Sequence, residues 1–218
     1  MLCQEKVTRT VLEGKLIAIV RGMDPAQLTD VAEALYQGGI RMMECTFDHR
    51  REDCVEANQR MISSLVNHFG DRMLVGSGTV LTTQEVQATL DAGGSFIISP
   101  SVDEAVIKET RRLGAVSMPG ALTPTEIMNA WNAGAHFVKL FPAGDFGPGY
   151  VKAVRAPLAH IPMLAVGGIT PENIPAFLKS GVCGFGVGGP LLPKEAVAAG
   201  DYEAICRRVQ EFVSAVAN

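Results

Sequence analysis

The sequence predicts an α/β fold, a single (β/α)8 barrel with an extra helix before the first strand. Three observations support this prediction. Eight short apolar runs recur along the chain, amphipathic segments separate them, and 218 residues suit one barrel. Apolar runs of this kind are typical of parallel strands that are buried on both faces. We expect one domain over residues 1–218.

The eight predicted strands are each about five to seven residues long and apolar nearly throughout. Their regular return at intervals of a helix and two turns is what indicates repeated strand–helix units. They cover residues 16–21, 42–47, 73–79, 96–100, 116–120, 137–142, 163–168 and 185–189.

The predicted helices lie between these runs. Residues 25–37 show an apolar stripe with a helical period, and similar segments follow at 53–68, 83–92, 103–112, 125–133, 150–157 and 172–179. A further helix over 5–12 precedes the first strand, and one over 201–216 closes the chain. Asp-Pro at 24–25 and Thr-Pro at 123–124 and 170–171 indicate helix starts, and glycines at 38–39, 93–94, 114, 134 and 181 indicate helix ends.

The alternative fold is a doubly wound open sheet. Eight strand–helix units are the number that a barrel contains, and no G-x-G-x-x-G sequence opens the first helix as the dinucleotide-binding form of the open sheet requires. We therefore favour the barrel.

Composition excludes several classes of function. The net charge of −4 is mild and basic residues occur only as scattered pairs, so nucleic acid is not an expected partner. No stretch reaches the roughly 18–20 apolar residues of a membrane span, and the N-terminus lacks a signal-peptide pattern. The five cysteines are irregularly spaced, which indicates reduced thiols and a cytoplasmic protein.

Lys139 is the strongest candidate for a catalytic residue. It stands between Val138 and Leu140 in an apolar run, where an ammonium is costly to bury unless it is paired or loses its proton. A lysine with a lowered pKa can attack a ketone and form a Schiff base. The alternative interpretation is a structural lysine that pairs with a carboxylate or extends to solvent at the strand end.

The active site of such a barrel lies at the carboxyl ends of its strands. Glu44 lies inside another apolar run and could share a cavity with Lys139, either as an acid/base group or as half of a buried ion pair. The polar candidates at the strand ends are Arg21, Glu44, Thr46, Ser77, Thr79, Ser99 and Lys139.

Two strand ends carry paired glycines, Gly167-Gly168 and Gly188-Gly189. The loops after the seventh and eighth strands of a barrel often bind phosphate through backbone N–H groups. Tight turns that need glycine are the alternative explanation. The four histidines show no metal-ligand spacing, so no metal site is expected, and Cys45 is predicted to face the helices.

Several motifs together resemble a known family, the class I 2-keto-3-deoxy-6-phosphogluconate (KDPG) / 4-hydroxy-2-oxoglutarate (KHG) aldolases. The resemblance covers nearly the full chain. It rests on IVRG (19–22), GGIRMMECTF (38–47), VGSGTVL (75–81), FIISP (96–100), MPGALTPTE (118–126), FVKLFPA (137–143) and AVGGITPENI (165–174).

The resemblance implies a role for each candidate residue. Lys139 would form the Schiff base with a keto acid, and Glu44 would be the general acid/base. It also implies pyruvate and an aldehyde such as D-glyceraldehyde 3-phosphate as products, no cofactor, a homotrimer, and carbohydrate metabolism of the Entner–Doudoroff type. Arg21 and Thr79 would hold the substrate carboxylate, Pro100 and Phe141 would line the pocket, and Gly167, Gly168, Gly188 and Gly189 would bind a distal phosphate.

Three positions depart from the pattern of many KDPG enzymes. Val166 replaces a threonine, Gly189 replaces a serine, and Asp48 replaces an arginine. The segments AVGGITPEN and FGPGYVKA resemble the branch that acts on 6-phospho-2-dehydro-3-deoxygalactonate (KDPGal). A KDPGal aldolase is therefore an alternative, as are an isomerase or epimerase without imine chemistry and a non-catalytic sugar-phosphate binder.

Overall fold

The computed structural model describes residues 4–217, which contain nine parallel strands in one sheet. Neighbouring strands follow the order β5-β4-β3-β2-β1-β9-β8-β7-β6, with every pairing parallel. All eight predicted runs contain a strand. The strands are β1 (Leu16–Val20), β2 (Met42–Thr46), β3 (Leu74–Gly78), β4 (Phe96–Ile98), β5 (Val116–Met118), β6 (Gly120–Ala121), β7 (Val138–Leu140), β8 (Met163–Val166) and β9 (Gly184–Val187).

The ninth strand arises because the fifth predicted run is divided at Pro119. Proline has no N–H for a strand ladder, so β5 pairs with β4 whereas β6 pairs with β7. The carbonyl oxygens of Ser117 and Pro119 accept hydrogen bonds from the backbone N–H groups of His136 and Lys139, both at 2.9 Å. These bonds close the sheet into a (β/α)8-type barrel, and the open-sheet alternative is wrong.

The helices surround the barrel near their predicted positions, with two exceptions. The helix after β1 begins at residue 28, three residues later than predicted, because the Asp24 carboxylate caps a turn at the Ala26 N–H. The helix after β7 begins at residue 143, seven residues earlier than predicted, and it is kinked at Gly147, whose φ is 75°. The helices are α1 (Gln4–Gly14), α2 (Leu28–Gly38), α3 (Cys54–Phe69), α4 (Thr83–Asp91), α5 (Glu104–Arg112), α6 (Pro124–Asn132), α7 (Ala143–Arg155), α8 (Ile174–Lys179), α9 (Lys194–Ala199) and α10 (Tyr202–Ala217).

The cap predictions had mixed outcomes. Thr123 caps α6 as predicted, with Pro124 as its first residue and Glu126 completing a capping box. The predicted start at Thr170 is wrong, because Asn173 is the N-cap of α8. The prediction did not include α9. The glycines after five helices do adopt the left-handed φ that a helix end requires, at Gly39, Gly93, Gly114, Gly134 and Gly181.

The amino-terminal end of the barrel is closed by α1. Val7 and Val11 on this helix are 0% and 1% exposed, and they pack on the apolar layer inside the strands. That layer consists of Ile17, Met42, Leu74, Phe96, Ile98, Val116, Met118, Phe137 and Leu164. The carboxyl ends of the strands carry no such plug, so a cavity remains there. None of the helices within residues 4–217 has the length and hydropathy needed to cross a membrane.

Candidate active site

A cavity of about 390 Å³ opens at the carboxyl ends of the strands, where sequence analysis placed the active site. The structure brings every predicted catalytic, substrate-binding and phosphate-binding residue to this one cavity, from seven of the nine strands or the loops that follow them. The predicted residues in its wall are Arg21, Glu44, Thr79, Pro100, Lys139, Phe141, Gly167, Gly168, Gly188 and Gly189.

Lys139 lies at the centre of β7 and is only 7% exposed. Burial lowers the pKa of its ammonium, the nearby Glu44 opposes that shift, and the cation of Arg21 adds to it. Among residues 4–217, no carboxylate oxygen lies within 4.0 Å of the Lys139 nitrogen. The Phe141 ring centroid lies 5.0 Å from that nitrogen. The interpretation of Lys139 as half of a tight structural ion pair is therefore wrong.

Glu44 lies on β2 and is 1% exposed. Burial raises the pKa of its carboxyl, while Lys139 and then Arg21 oppose the shift. Its Oε2 atom is buried and has no hydrogen-bond partner among the described residues. A carboxyl with a raised pKa and a free oxygen is suited to exchange protons with a reacting molecule.

Arg21 and Thr79 form a second polar group at the mouth of the cavity. The guanidinium of Arg21 donates a hydrogen bond to the Thr79 hydroxyl at 3.3 Å. Thr79 has a φ of 58°, a left-handed conformation that is unusual for a β-branched residue and costs about 1–3 kcal/mol. Strain of this kind concentrates at functional sites, so Thr79 is a candidate for ligand contact.

The glycine pairs follow β8 and β9 and form another part of the cavity wall. Gly167 and Gly168 have φ values of 91° and 67°, which require glycine or strain. A side chain at Gly189 would meet nothing within 4 Å, so this backbone is open to a ligand. No hydrogen bond within residues 4–217 uses the N–H groups of Gly168, Gly188 or Gly189. Such free donors can bind an anion.

Three other polar candidates lie away from this cavity. Ser77 donates to the Asn58 side chain at 2.9 Å and accepts from Thr89 at 2.7 Å, within a buried network behind the barrel. Ser99 is buried without lining the cavity. Thr46 borders a neighbouring cleft, and its hydroxyl has no partner among the described residues.

His49 and Cys45 also lie outside the cavity. His49 Nε2 lies 2.9 Å from a Glu85 oxygen. Cys45 faces the surrounding helices, as predicted, and burial raises the pKa of its thiol to about 12, which makes it unreactive. Cys3 lies outside the described residues. Within residues 4–217, no group of three His, Cys, Asp or Glu side chains could hold a metal ion.

Sequence reasoning missed several apolar wall residues because nothing in their type distinguishes them from the core. A signal was available for Ile19, two residues before Arg21, and for Gly186, two residues before Gly188, since alternate strand residues share a face. The missed wall residues are Ile19, Ile169, Gly186, Val187 and Pro190.

Volume does not distinguish this cavity, because a cleft between α3 and the loops after β1 and β2 measures about 410 Å³. Its arginines are exposed and already paired: Arg50 with Asp48, and Arg51 and Arg60 with Asp53. Unlike that cleft, the 390 Å³ cavity contains a buried lysine and a buried glutamate with opposed pKa shifts. That combination marks it as the candidate active site.

Comparison with known proteins shows which family the chain is similar to. A sequence model described as "KDPG and KHG aldolase" matches residues 7–208. A probable 2-dehydro-3-deoxy-6-phosphogalactonate aldolase of Rhizobium meliloti is 36% identical over 198 residues, covering 90% of each chain. The KHG/KDPG aldolase of Escherichia coli K12 is 32% identical over 201 residues, covering 90% of this chain and 89% of that one.

A solved structure is also similar. The KDPG aldolase of Legionella pneumophila, with pyruvate captured as a covalent carbinolamine intermediate, superposes with a TM-score of 0.82. It is 25% identical, and the match covers 93% of this chain and 96% of the other.

Proposed function

The chain belongs to the KDPG and KHG aldolase family, a group of carbon–carbon lyases, and from that premise we propose that it cleaves a 2-keto-3-deoxy-6-phospho sugar acid through a Schiff base on Lys139. One observation carries the assignment of the nucleophile. Lys139 is a buried lysine whose pKa is lowered by burial and whose nitrogen has no carboxylate within 4.0 Å among the described residues. Such an amine is available for attack on a carbonyl carbon.

In the proposed reaction, the neutral Lys139 amine adds to C2 of the substrate, and the carbinolamine loses water to give a protonated imine. The C4 hydroxyl then gives up its proton while the C3–C4 bond breaks, and the bonding electrons move to the imine. The aldehyde leaves, C3 of the resulting enamine takes a proton, and water releases pyruvate. The pyruvate carbinolamine captured in the Legionella relative is an intermediate of this kind.

Glu44 is the proposed acid/base group for these proton transfers. It lies in the same cavity as Lys139, and burial holds its pKa above the ordinary value. A carboxyl whose pKa is raised by burial is suited both to accept and to return a proton. Its unpartnered Oε2 atom is the oxygen that we assign to this work.

Arg21 and Thr79 are the proposed contacts for the substrate carboxylate. Arg21 offers two parallel N–H donors to a carboxylate. Its existing bond to Thr79 places a hydroxyl beside the guanidinium. Pro100 and Phe141 would then border the chain of the keto acid.

The glycine pairs are the proposed site for a distal phosphate. Free N–H groups at Gly168, Gly188 and Gly189 support this assignment. Val166 supplies no hydroxyl beside them, and this departure favours the KDPGal alternative. The 36% identity to a probable 2-dehydro-3-deoxy-6-phosphogalactonate aldolase supports the same alternative. KDPG, KDPGal and KHG therefore form the substrate panel.

We also propose the domain, the location, the assembly and the pathway in which this activity occurs. We place this activity in one domain of residues 1–218, in a cytoplasmic homotrimer that serves sugar-acid breakdown of the Entner–Doudoroff type. The cytoplasmic location is supported by Cys45, Cys54, Cys183 and Cys206, which are all free thiols in the structure.

Trapping with pyruvate and sodium borohydride tests the mechanism. We expect one reduced pyruvate adduct on the peptide that carries Lys139, and cleavage activity that falls by about 10⁴-fold or more in Lys139→Ala. Lys152→Ala is the matched control, because Lys152 is exposed on α7. Retained cleavage in Lys139→Ala would sink the mechanism.

The same experiment separates the alternatives. An isomerase, an epimerase or a sugar-phosphate binder forms no reducible imine with pyruvate. If the wild-type protein takes up no adduct under conditions that label a known Schiff-base aldolase, the imine is rejected. If the adduct forms, relative kcat/KM for KDPG, KDPGal and KHG identifies the substrate.

A further inference from the structure

Gly78, the last residue of β3, provides the space that the Glu44 carboxyl group occupies. A Cβ atom built on Gly78 would lie 1.6 Å from Glu44 Oε1 and 2.1 Å from its Cδ. Non-bonded carbon and oxygen atoms cannot approach this closely, so any side chain at residue 78 would displace Glu44. The φ of Gly78 is not left-handed, so its backbone would accept alanine without strain.

The strand register shows in which direction Glu44 leans. Glu44 pairs with Gly76 on β3, and Thr46 pairs with Gly78. The Glu44 side chain therefore leans along β3, from its partner Gly76 toward the carboxyl end of the strand. In this position neither oxygen of the Glu44 carboxylate lies within 4.0 Å of the Lys139 nitrogen, so these two described residues form no ion pair.

We propose that Gly78 is a positioning residue, whose missing side chain holds the Glu44 carboxyl against β3 and thereby leaves the Lys139 amine unpaired and able to attack a carbonyl. The proposal rests on the Schiff-base function above and assigns to that site a residue which controls its nucleophile. Gly78 itself does not line the cavity.

The proposal depends on the difference between a carboxylate that lies near the Lys139 amine and one that forms a direct ion pair with it. A carboxylate in contact with an ammonium strongly favours the charged amine, which has no lone pair for attack. The charged groups that line the cavity with Lys139 are Glu44 from β2 and Arg21 after β1. A side chain at residue 78 would push Glu44 off β3 into the cavity, where Lys139 stands on another wall.

The pH dependence of imine formation tests this proposal. The rate of adduct formation with pyruvate and sodium cyanoborohydride would be measured from pH 5 to 10 for wild type and Gly78→Ala. We expect the midpoint of Gly78→Ala to move upward by about one pH unit or more, with an approximately tenfold slower rate below the midpoint. Gly14→Ala is the control, because a Cβ there meets nothing within 4 Å.

A second measurement tests the clash itself and remains decisive if the single variant folds poorly. The free energy of unfolding would be compared in a double-mutant cycle of Gly78→Ala with Glu44→Ala. We expect Gly78→Ala to be destabilising in wild type and neutral once the Glu44 side chain is removed. Equal losses in both backgrounds, or a double variant that does not fold, would mean that residue 78 acts on something other than Glu44.

The outcomes also separate this proposal from the proposed function. Failure of wild type to form any adduct rejects the Schiff base itself. A wild-type adduct together with an unchanged midpoint in Gly78→Ala rejects only the positioning role of Gly78.

Discussion

The two ends of the barrel are built from the same strands and differ in what they bury. At the amino-terminal end, α1 closes the interior, and its Val7 and Val11 pack against apolar side chains of the inner layer. At the carboxyl end, the same strands bury Glu44 and Lys139 beside an open cavity. One end therefore favours stability, whereas the other keeps two poorly solvated charged groups.

The difference shows how one fold separates stability from chemistry. Apolar burial contributes roughly 25 cal/mol per Å² wherever packing is complete, and the closed end provides it. Charge is costly to bury, which is why the pKa values of both groups are shifted, and Glu44 Oε2 also has no hydrogen-bond partner among the described residues. We expect substitutions at the two ends to affect different measurements.

The largest effect in this comparison is expected for Glu44→Gln. Loss of the acid/base carboxyl should slow exchange of the pyruvate methyl protons with D₂O by roughly 10²–10⁴-fold, measured by NMR. The pyruvate adduct on Lys139 should still form, because the nucleophile is unchanged. The free energy of unfolding at pH 7 should fall by no more than about 1 kcal/mol, since the amide removes a buried charge.

Glu52→Gln is the control for this variant, because Glu52 is exposed on the loop before α3. Wild-type exchange in Glu44→Gln would remove Glu44 from the mechanism. A large loss of stability without a change in exchange would mean that Glu44 belongs with the structural end of the barrel.

The sequence predicted the two catalytic candidates and the residues around them in the cavity wall, but it could not predict how the two charged side chains are arranged relative to each other. Lys139 and Glu44 were found because a charge inside an apolar run has a high desolvation cost whatever its neighbours. The absence of an ion pair between them depends on the lean of one side chain over Gly78, which no local pattern encodes. The late start of α2 at Leu28 likewise depends on the Asp24 carboxylate capping a turn.

The closed end should show the opposite response in Val11→Ala. Val11 is 1% exposed and packs inside the barrel, so removing two methyl groups should lower the free energy of unfolding by about 2 kcal/mol. Urea denaturation measures this change, and kcat/KM should stay within about twofold of wild type. Leu12→Ala is the control on the same helix, because Leu12 is 46% exposed. A large fall in kcat with unchanged stability would contradict the separation of the two ends.

The smallest expected effect is on the stability of the fold at acid pH, and it comes from His136 near the closed end of the barrel. His136 precedes β7, and burial, together with the Arg111 guanidinium beside it, lowers the pKa of this imidazole to about 4. Because the folded pKa lies below the unfolded value, the stabilising contribution is complete above about pH 6.5 and is lost as the pH falls toward 4.

His136→Gln should therefore lose less stability than wild type between pH 7 and pH 4.5. We expect a difference of about 1 kcal/mol, well below the full shift, because the ring is only partly buried and solvent screens it. Urea denaturation at both pH values, with the exposed His160 changed to Gln as control, measures it. If wild type and His136→Gln lost equal stability between pH 7 and pH 4.5, groups other than His136 would account for the loss of stability in acid. If His136→Gln instead altered the pH midpoint of the pyruvate adduct, the two ends of the barrel would be coupled, and their separation into a stabilising end and a reactive end would be wrong.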